Sequence, residues 1–240
     1  MPIKKLPKIE AWSFSRWRDY QQCPRRAKYK YIDRRKEPGS PQMERGSNIH
    51  KEAEDFTLGK LKSLPENLNR FPEEFADARV NYIEVEGQWA FDQYWNPTGW
   101  FDKDAWCRIK VDLLLIGDKP NVLRVVDHKT GRLGGDYEAQ VQLYAVGALS
   151  LFENEVPGEV LVVEPELWYL DQGEIVGGKE LAERTEGEVG VYDSTDINRL
   201  QKIWNDRVRV MLNDTRFPES PGNHCRWCHF SKAKGGPCRF

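Results

Sequence analysis

Apolar positions change their rhythm near residue 82. Before it they recur at helical spacing: Trp17 and Tyr20 lie in a run that Ser13 or Ser15 can cap, and that Cys23-Pro24 interrupts or restarts before Tyr31. Gly46 to Leu61 and Phe71 to Tyr82 are the next helix candidates, separated by a loop around Pro65 and Asn67. After residue 82, β-branched and aromatic residues crowd into Tyr82–Tyr94, Trp106–Ile116, Val122–Asp127 and Val160–Leu170, with turn signals at Asn96-Pro97, Gly117-Asp118 and Asp171-Gln172-Gly173. These runs predict successive strands of one sheet. Glu138 to Leu149 predicts a helix after the third strand, and Asp196 to Leu212 an amphipathic helix that ends before Pro218 and leads into the tail. The polar, Gly-rich stretch Gly177 to Gly190 reads as a surface loop or short excursion.

The order of elements predicts an α/β (α+β) fold, a central mixed sheet flanked by helices. At 240 residues the default is a single domain over 1–240: a helical lobe (1–81), a core (82–170), and a C-terminal helix with a cysteine-rich tail (171–240). Hydrophobic content of 39% is that of a water-soluble chain. The apolar run Val111 to Ile116 is far short of the roughly 20 residues a membrane span needs. With no apolar signal region over Met1 to Glu10, the expected location is the cytoplasm, with no membrane partner.

Cysteine placement changes the picture most. Cys23 stands near the start, whereas Cys225, Cys228 and Cys238 crowd the tail; together they offer four thiolates, enough for an iron-sulfur cluster or a structural zinc. Zinc sites usually draw cysteines in close pairs, and here one ligand lies roughly 200 residues from the others, which favours the cluster. Cys107 is the spare, expected as a buried strand residue. The net charge of −2 points to no particular partner, yet seven of the twelve residues from Arg25 to Lys36 are basic, and Arg25, Arg26, Lys28 and Lys30 are the candidate phosphate contacts. Tyr29 and Tyr31, interleaved with them, offer stacking surface, with one expected to face the core.

The candidate chemistry lies between the two cysteine regions. Asp112 sits inside an apolar run, where a buried carboxylate needs a cation or a donor. Asp127 and Lys129, two apart at the end of the next strand, project from one face while His128 points the other way. Two carboxylates that hold a hard divalent ion, beside an ammonium, are what phosphodiester hydrolysis uses. Gly46-x3-His50 puts an imidazole on a helix face as a further candidate ligand, and Gln140-x3-Tyr144 pairs an amide with a phenol on the helix after Lys129.

In this order, Cys23-Pro-Arg, Gly46-x3-His50, Asp112, Asp127-x-Lys129, Gln140-x3-Tyr144 and Cys225-x2-Cys228-x9-Cys238, the motifs resemble the PD-(D/E)xK nuclease superfamily over nearly the whole chain. More narrowly they resemble its RecB-like iron-sulfur branch, which includes the CRISPR-associated adaptation exonucleases. No Pro-Asp pair is present, since Asp112 follows Val111. The resemblance implies a restriction-endonuclease-like sheet closed by a cluster-bearing tail. It implies that His50, Asp112, Asp127 and the His128 carbonyl ligate Mg2+ or Mn2+, with Lys129 as the catalytic lysine and Gln140 and Tyr144 as an accessory pair. It also implies a [4Fe-4S] cluster on Cys23, Cys225, Cys228 and Cys238. The expected activity is a metal-dependent DNA exonuclease on single strands or ends, in recombination, repair or phage DNA processing, in a bacterial or phage-infected cell. Without a Gly-x4-Gly-Lys-Ser/Thr segment the chain has no motor of its own, so a helicase, recombinase or integrase is the candidate partner. The alternatives are a CRISPR adaptation nuclease and a non-catalytic iron-sulfur DNA-binding subunit.

Overall fold

A computed structural model describes residues 6–133, 137–153, 159–184 and 189–240. By contacts the chain divides into two compact units, Pro41–Lys202 and the joined ends Met1–Ser40 with Ile203–Phe240.

The central unit begins with helices α3 (Pro41–Thr57) and α4 (Pro72–Asn81), the latter opened by a proline whose missing amide costs nothing in a first turn. Strands β1 (Tyr82–Phe91), β2 (Pro97–Thr98), β3 (Cys107–Ile116) and β4 (Val122–Lys129) follow, then helix α5 (Tyr137–Phe152), β5 (Val162–Tyr169), β6 (Glu174–Gly177), helix α6 (Gly178–Arg184) and β7 (Tyr192–Asp193). The sheet order is β2-β1-β3-β4-β5-β6, with β7 also paired to β5. Every pairing is antiparallel except β4 with β5, and α5 supplies the crossover that a parallel pair needs. The expected mixed sheet flanked by helices is therefore present. The stretch from Gly177, expected as a surface loop or short excursion, contains the short helix α6; residues 185–188 of it lie outside the described residues. Its short run Leu181-Ala182 was too brief to show a helical period, and Leu181 is buried.

One face of the sheet packs on α3 and α4. Leu113, Leu115, Val126 and Trp168 meet Ile49, Ala53 and Phe56 of α3 and Phe75 and Ala78 of α4, and Phe71 stacks on Trp168 with ring centroids 5.7 Å apart. Helix α5 packs on β3, β4 and β5 and is buried around its whole circumference from Ala139 to Leu149, which is why its sequence is apolar throughout instead of striped.

In the unit of the two ends, Ser13 caps α1 (Phe14–Gln22) by accepting the Arg16 amide at 3.4 Å. Cys23 and Pro24 then break the helix and start α2 (Pro24–Ala27), which passes into a π-helical segment, Lys28–Ile32. Helix α7 (Ile197–Asn213) reaches into this unit from residue 203. Trp12 stacks on Trp204 at 5.2 Å and Trp17 meets Trp204 edge-on at 5.3 Å, contacts worth about 1 kcal/mol each beyond their buried area. The Tyr20 hydroxyl donates to Asp214 at 2.8 Å, and Tyr29 packs on Phe230.

Candidate functional site

The motif residues of the central unit converge where β3 and β4 stop pairing. The last ladder pair on that side is Leu113 with Val126, so Asp112 stands one step beyond it and turns its carboxylate onto the end of β4. Its Oδ2 accepts the His128 backbone amide at 2.5 Å, and its Oδ1 lies 3.1 Å from His50 Nδ1. Burial pushes the Asp112 carboxyl up. The His50 hydrogen bond, the His128 and His50 charges and the His128 amide outweigh it and hold the group at about 2. His50 responds in the opposite sense: burial lowers it, and the Asp112 bond and charge raise it above the usual imidazole range.

The His128 ring projects away from the Asp127 side, as expected, yet it is not turned away from the site. It lies 5.4 Å from Phe75, 5.7 Å from Trp168 and 5.8 Å from His50 between centroids. Its Nδ1 is 3.8 Å from Asp112 Oδ2, and its buried Nε2 has no hydrogen-bond partner. Burial holds it neutral, with a pKa lowered to about 4. One potential ligand atom from each of His50, Asp112 and His128 lies within 4.8 Å of the others, the one such group among the described residues. An imidazole pair with a carboxylate, one ring nitrogen left unsatisfied, is a donor set that fits a divalent cation.

Asp127 and Lys129 stand beside this group on the α5 side. Lys129 forms an ion pair with Asp127, and the Tyr144 hydroxyl donates to the same carboxylate. Gln140 Nε2 in turn donates to the Tyr144 oxygen at 2.7 Å, so the Gln140-x3-Tyr144 spacing does place the two in contact, on Asp127. Burial raises the Asp127 carboxyl; Lys129 works against this and the charge of Asp112 adds to it. Tyr144, buried against Asp127, is pushed far above the ordinary phenol range.

Gly46 owes its place to close approach, since a Cβ there would sit 3.0 Å from Thr130 Oγ1 in the loop that leaves Lys129. Its neighbour Arg45 grips Asp171 through two hydrogen bonds of 2.6 and 3.0 Å, and Asp171 also accepts the Gly131 amide at 2.7 Å. This latch between α3, the Lys129 loop and the end of β5 has no local signature in the sequence.

In the unit of the two ends, Cys23, Cys225, Cys228 and Cys238 line one pocket together with Tyr29, His224 and Phe230; all four thiols are free. The tail is shaped by backbone bonds: Cys228 to the Cys225 carbonyl at 3.2 Å, and Cys238 to the Phe230 carbonyl at 2.9 Å. Cys107 is fully buried in β3, and burial drives its thiol pKa up. The cations of the basic segment are matched by acids, three of them nearby in sequence and one, Glu219, from the tail. Arg25 pairs with Glu219 at 3.6 Å, Arg26 with Glu37 at 3.1 Å, Lys28 with Asp33 at 2.7 Å and Lys30 with Asp19 at 2.8 Å. Tyr29 is the ring that faces the core, while Tyr31 donates to Asp19 at 2.5 Å.

A family model of the PD-(D/E)XK nuclease superfamily matches residues 11–109 and 107–233. The chain belongs to this superfamily. No curated protein matches the chain. As a PD-(D/E)XK nuclease it is expected to be a metal-dependent enzyme acting on DNA, and the His50, Asp112 and His128 group is present to receive a divalent ion. No helix among the described residues is long and apolar enough to cross a membrane.

Proposed function

We propose that this PD-(D/E)XK nuclease is a Mg2+- or Mn2+-dependent DNA exonuclease of the RecB-like iron-sulfur branch, acting on single strands or ends. The observation that carries the reading is the convergence of His50, Asp112 and His128 within 4.8 Å beside the Asp127–Lys129 ion pair. His50, Asp112, Asp127 and the His128 backbone carbonyl are the proposed ligands, and a His128 ring nitrogen, grouped with His50 and Asp112 within 4.8 Å, stands at the same centre. A bound divalent ion would polarise the phosphate and acidify the attacking water. The chain's own residues do the rest. Asp112 is held ionised by its donors, ready to receive a cation. Lys129, paired with Asp127 here, supplies a positive charge for the transition state, and Tyr144 with Gln140 fixes the Asp127 rotamer.

The four cysteines around one pocket are proposed to hold a [4Fe-4S] cluster. One of the four lies roughly 200 residues from the other three, whereas structural zinc sites usually draw their cysteines in close pairs, and this supports the cluster. Arg25, Arg26, Lys28 and Lys30 remain the proposed DNA contacts, with phosphates exchanging for their present acidic partners. A helicase, recombinase or integrase is the proposed partner class, and CRISPR adaptation or phage recombination the proposed setting.

The test is cleavage of end-labelled linear and circular single-stranded DNA by anaerobically purified protein with Mg2+ or Mn2+. Linear substrate should be degraded and circles spared, and Asp127→Ala or Lys129→Ala should abolish cleavage with DNA binding retained. Cleavage that survives both substitutions would remove the proposed site.

A further inference from the structure

Glu86 occupies the middle of β1 with a φ of 57°, a left-handed conformation uncommon for a residue that carries a side chain. Among the described non-glycine residues with positive φ, Arg34, Trp95 and Phe217 lie outside strands, and Glu86 alone lies within one. The β1–β3 register, Val85 opposite Leu113 and Gly87 opposite Val111, places Glu86 across from Asp112. Side chains crowd the next position: a Cβ at Gly87 would fall 2.5 Å from Glu84 Oε2 and 2.9 Å from Val111 Cγ2. Local irregularities of a strand re-aim side chains, and they gather next to active sites.

The Glu86 side chain is three-quarters buried and forms an ion pair with Lys110, which lies two residues before Asp112 on β3. Its charge is felt by His50, and the charge of Asp112 is felt by Lys110. A glycine would adopt this backbone at no steric cost, so the glutamate is the residue that needs a reason.

The geometry points to Glu86 as a positioning residue of the candidate metal centre: from β1 it adds a further negative charge, beyond those of Asp112 and Asp127, that draws a divalent cation toward the His50–Asp112 pair, with Lys110 balancing that charge while no cation is bound. The inference rests on the metal-centre reading given above. Hard divalent cations favour oxygen-rich, negative surroundings, and groups just outside the ligand shell commonly tune their affinity by about 10–100-fold.

The experiment is Mn2+ binding to the full chain without DNA, followed by the electron paramagnetic resonance of free Mn2+, with thermal melting in EDTA alongside. Glu86→Gln should weaken Mn2+ binding roughly tenfold. Glu86→Gly should weaken it as much while melting in EDTA at or above the wild-type temperature, because glycine relaxes the left-handed backbone. Lys110→Met, by removing a competing cation, should tighten binding. Unchanged Mn2+ affinity in Glu86→Gln overturns the assignment, and so does a Glu86→Gly variant that melts clearly below wild type, since that makes the residue structural. Asp112→Asn separates the two readings. If it loses Mn2+ while Glu86→Gln keeps it, only the role of Glu86 fails; if Asp112→Asn binds as wild type, the metal centre itself is misplaced.

Discussion

At the scale of single residues, the two imidazoles of the site have opposite preferences, and pH should expose them. His50 has a raised pKa through its bond to Asp112, so its contribution is fully present below the unfolded value of about 6.5 and is lost as pH rises through its folded value. His128 is lowered to about 4 by burial, so the unfolded chain takes up its proton first and stability falls as pH drops from about 6.5 toward 4. The metal-free protein should therefore be most stable near pH 6.5. Between there and pH 4 His128 alone should cost roughly 3 kcal/mol. Urea titrations in EDTA across this range check it, with His128→Phe expected to flatten the acid limb. An acid limb as steep in His128→Phe as in wild type would show that the proton goes elsewhere.

Among the elements, the pairing of β6 with β5 carries the sharpest steric demand seen at a described glycine. Gly177, at the end of β6, has a φ of 136°, and a Cβ there would fall 2.1 Å from the Pro165 carbonyl oxygen. Both the backbone conformation and the close approach demand glycine, and neither a rotamer change nor a small shift of a flexible side chain relieves a clash with main chain. Gly177→Ala should destabilise the protein by roughly 3 kcal/mol, measured by chemical denaturation. A loss below about 1 kcal/mol would mean that β6 can be re-seated against β5 without penalty.

On the scale of the whole molecule, the two units offer separate readouts for the two proposed cofactors. If the four cysteines hold a cluster, Cys23→Ala should abolish the iron content and the broad absorbance near roughly 400 nm. It should also raise amide exchange within residues 1–40 and 203–240, because a ligand bound to the folded state alone stabilises that unit. Exchange across the strands of the central unit should stay as in wild type. One zinc and negligible iron in anaerobically prepared protein would sink the cluster assignment and leave the nuclease centre untouched.

Much of this arrangement is local and therefore legible in the chain itself. Strand and helix periods located β1, β3, β4, β5, α5 and α7, because a half-buried element must repeat its apolar positions with its own geometry. Two-residue alternation put Asp127 and Lys129 on one side and His128 on the other, and four-residue helical spacing brought Gln140 to Tyr144. Other features depend on partners distant in sequence, which no window can supply. The turn of the His128 ring toward Asp112, the Arg45–Asp171 latch, the Arg25–Glu219 pair and the place of Glu86 across from Asp112 all arise from register and packing between separate elements. Residue type and spacing set which groups were available for chemistry; only the tertiary fold decided which of them meet, because a contact across the sheet is specified by the whole ladder and not by either strand alone.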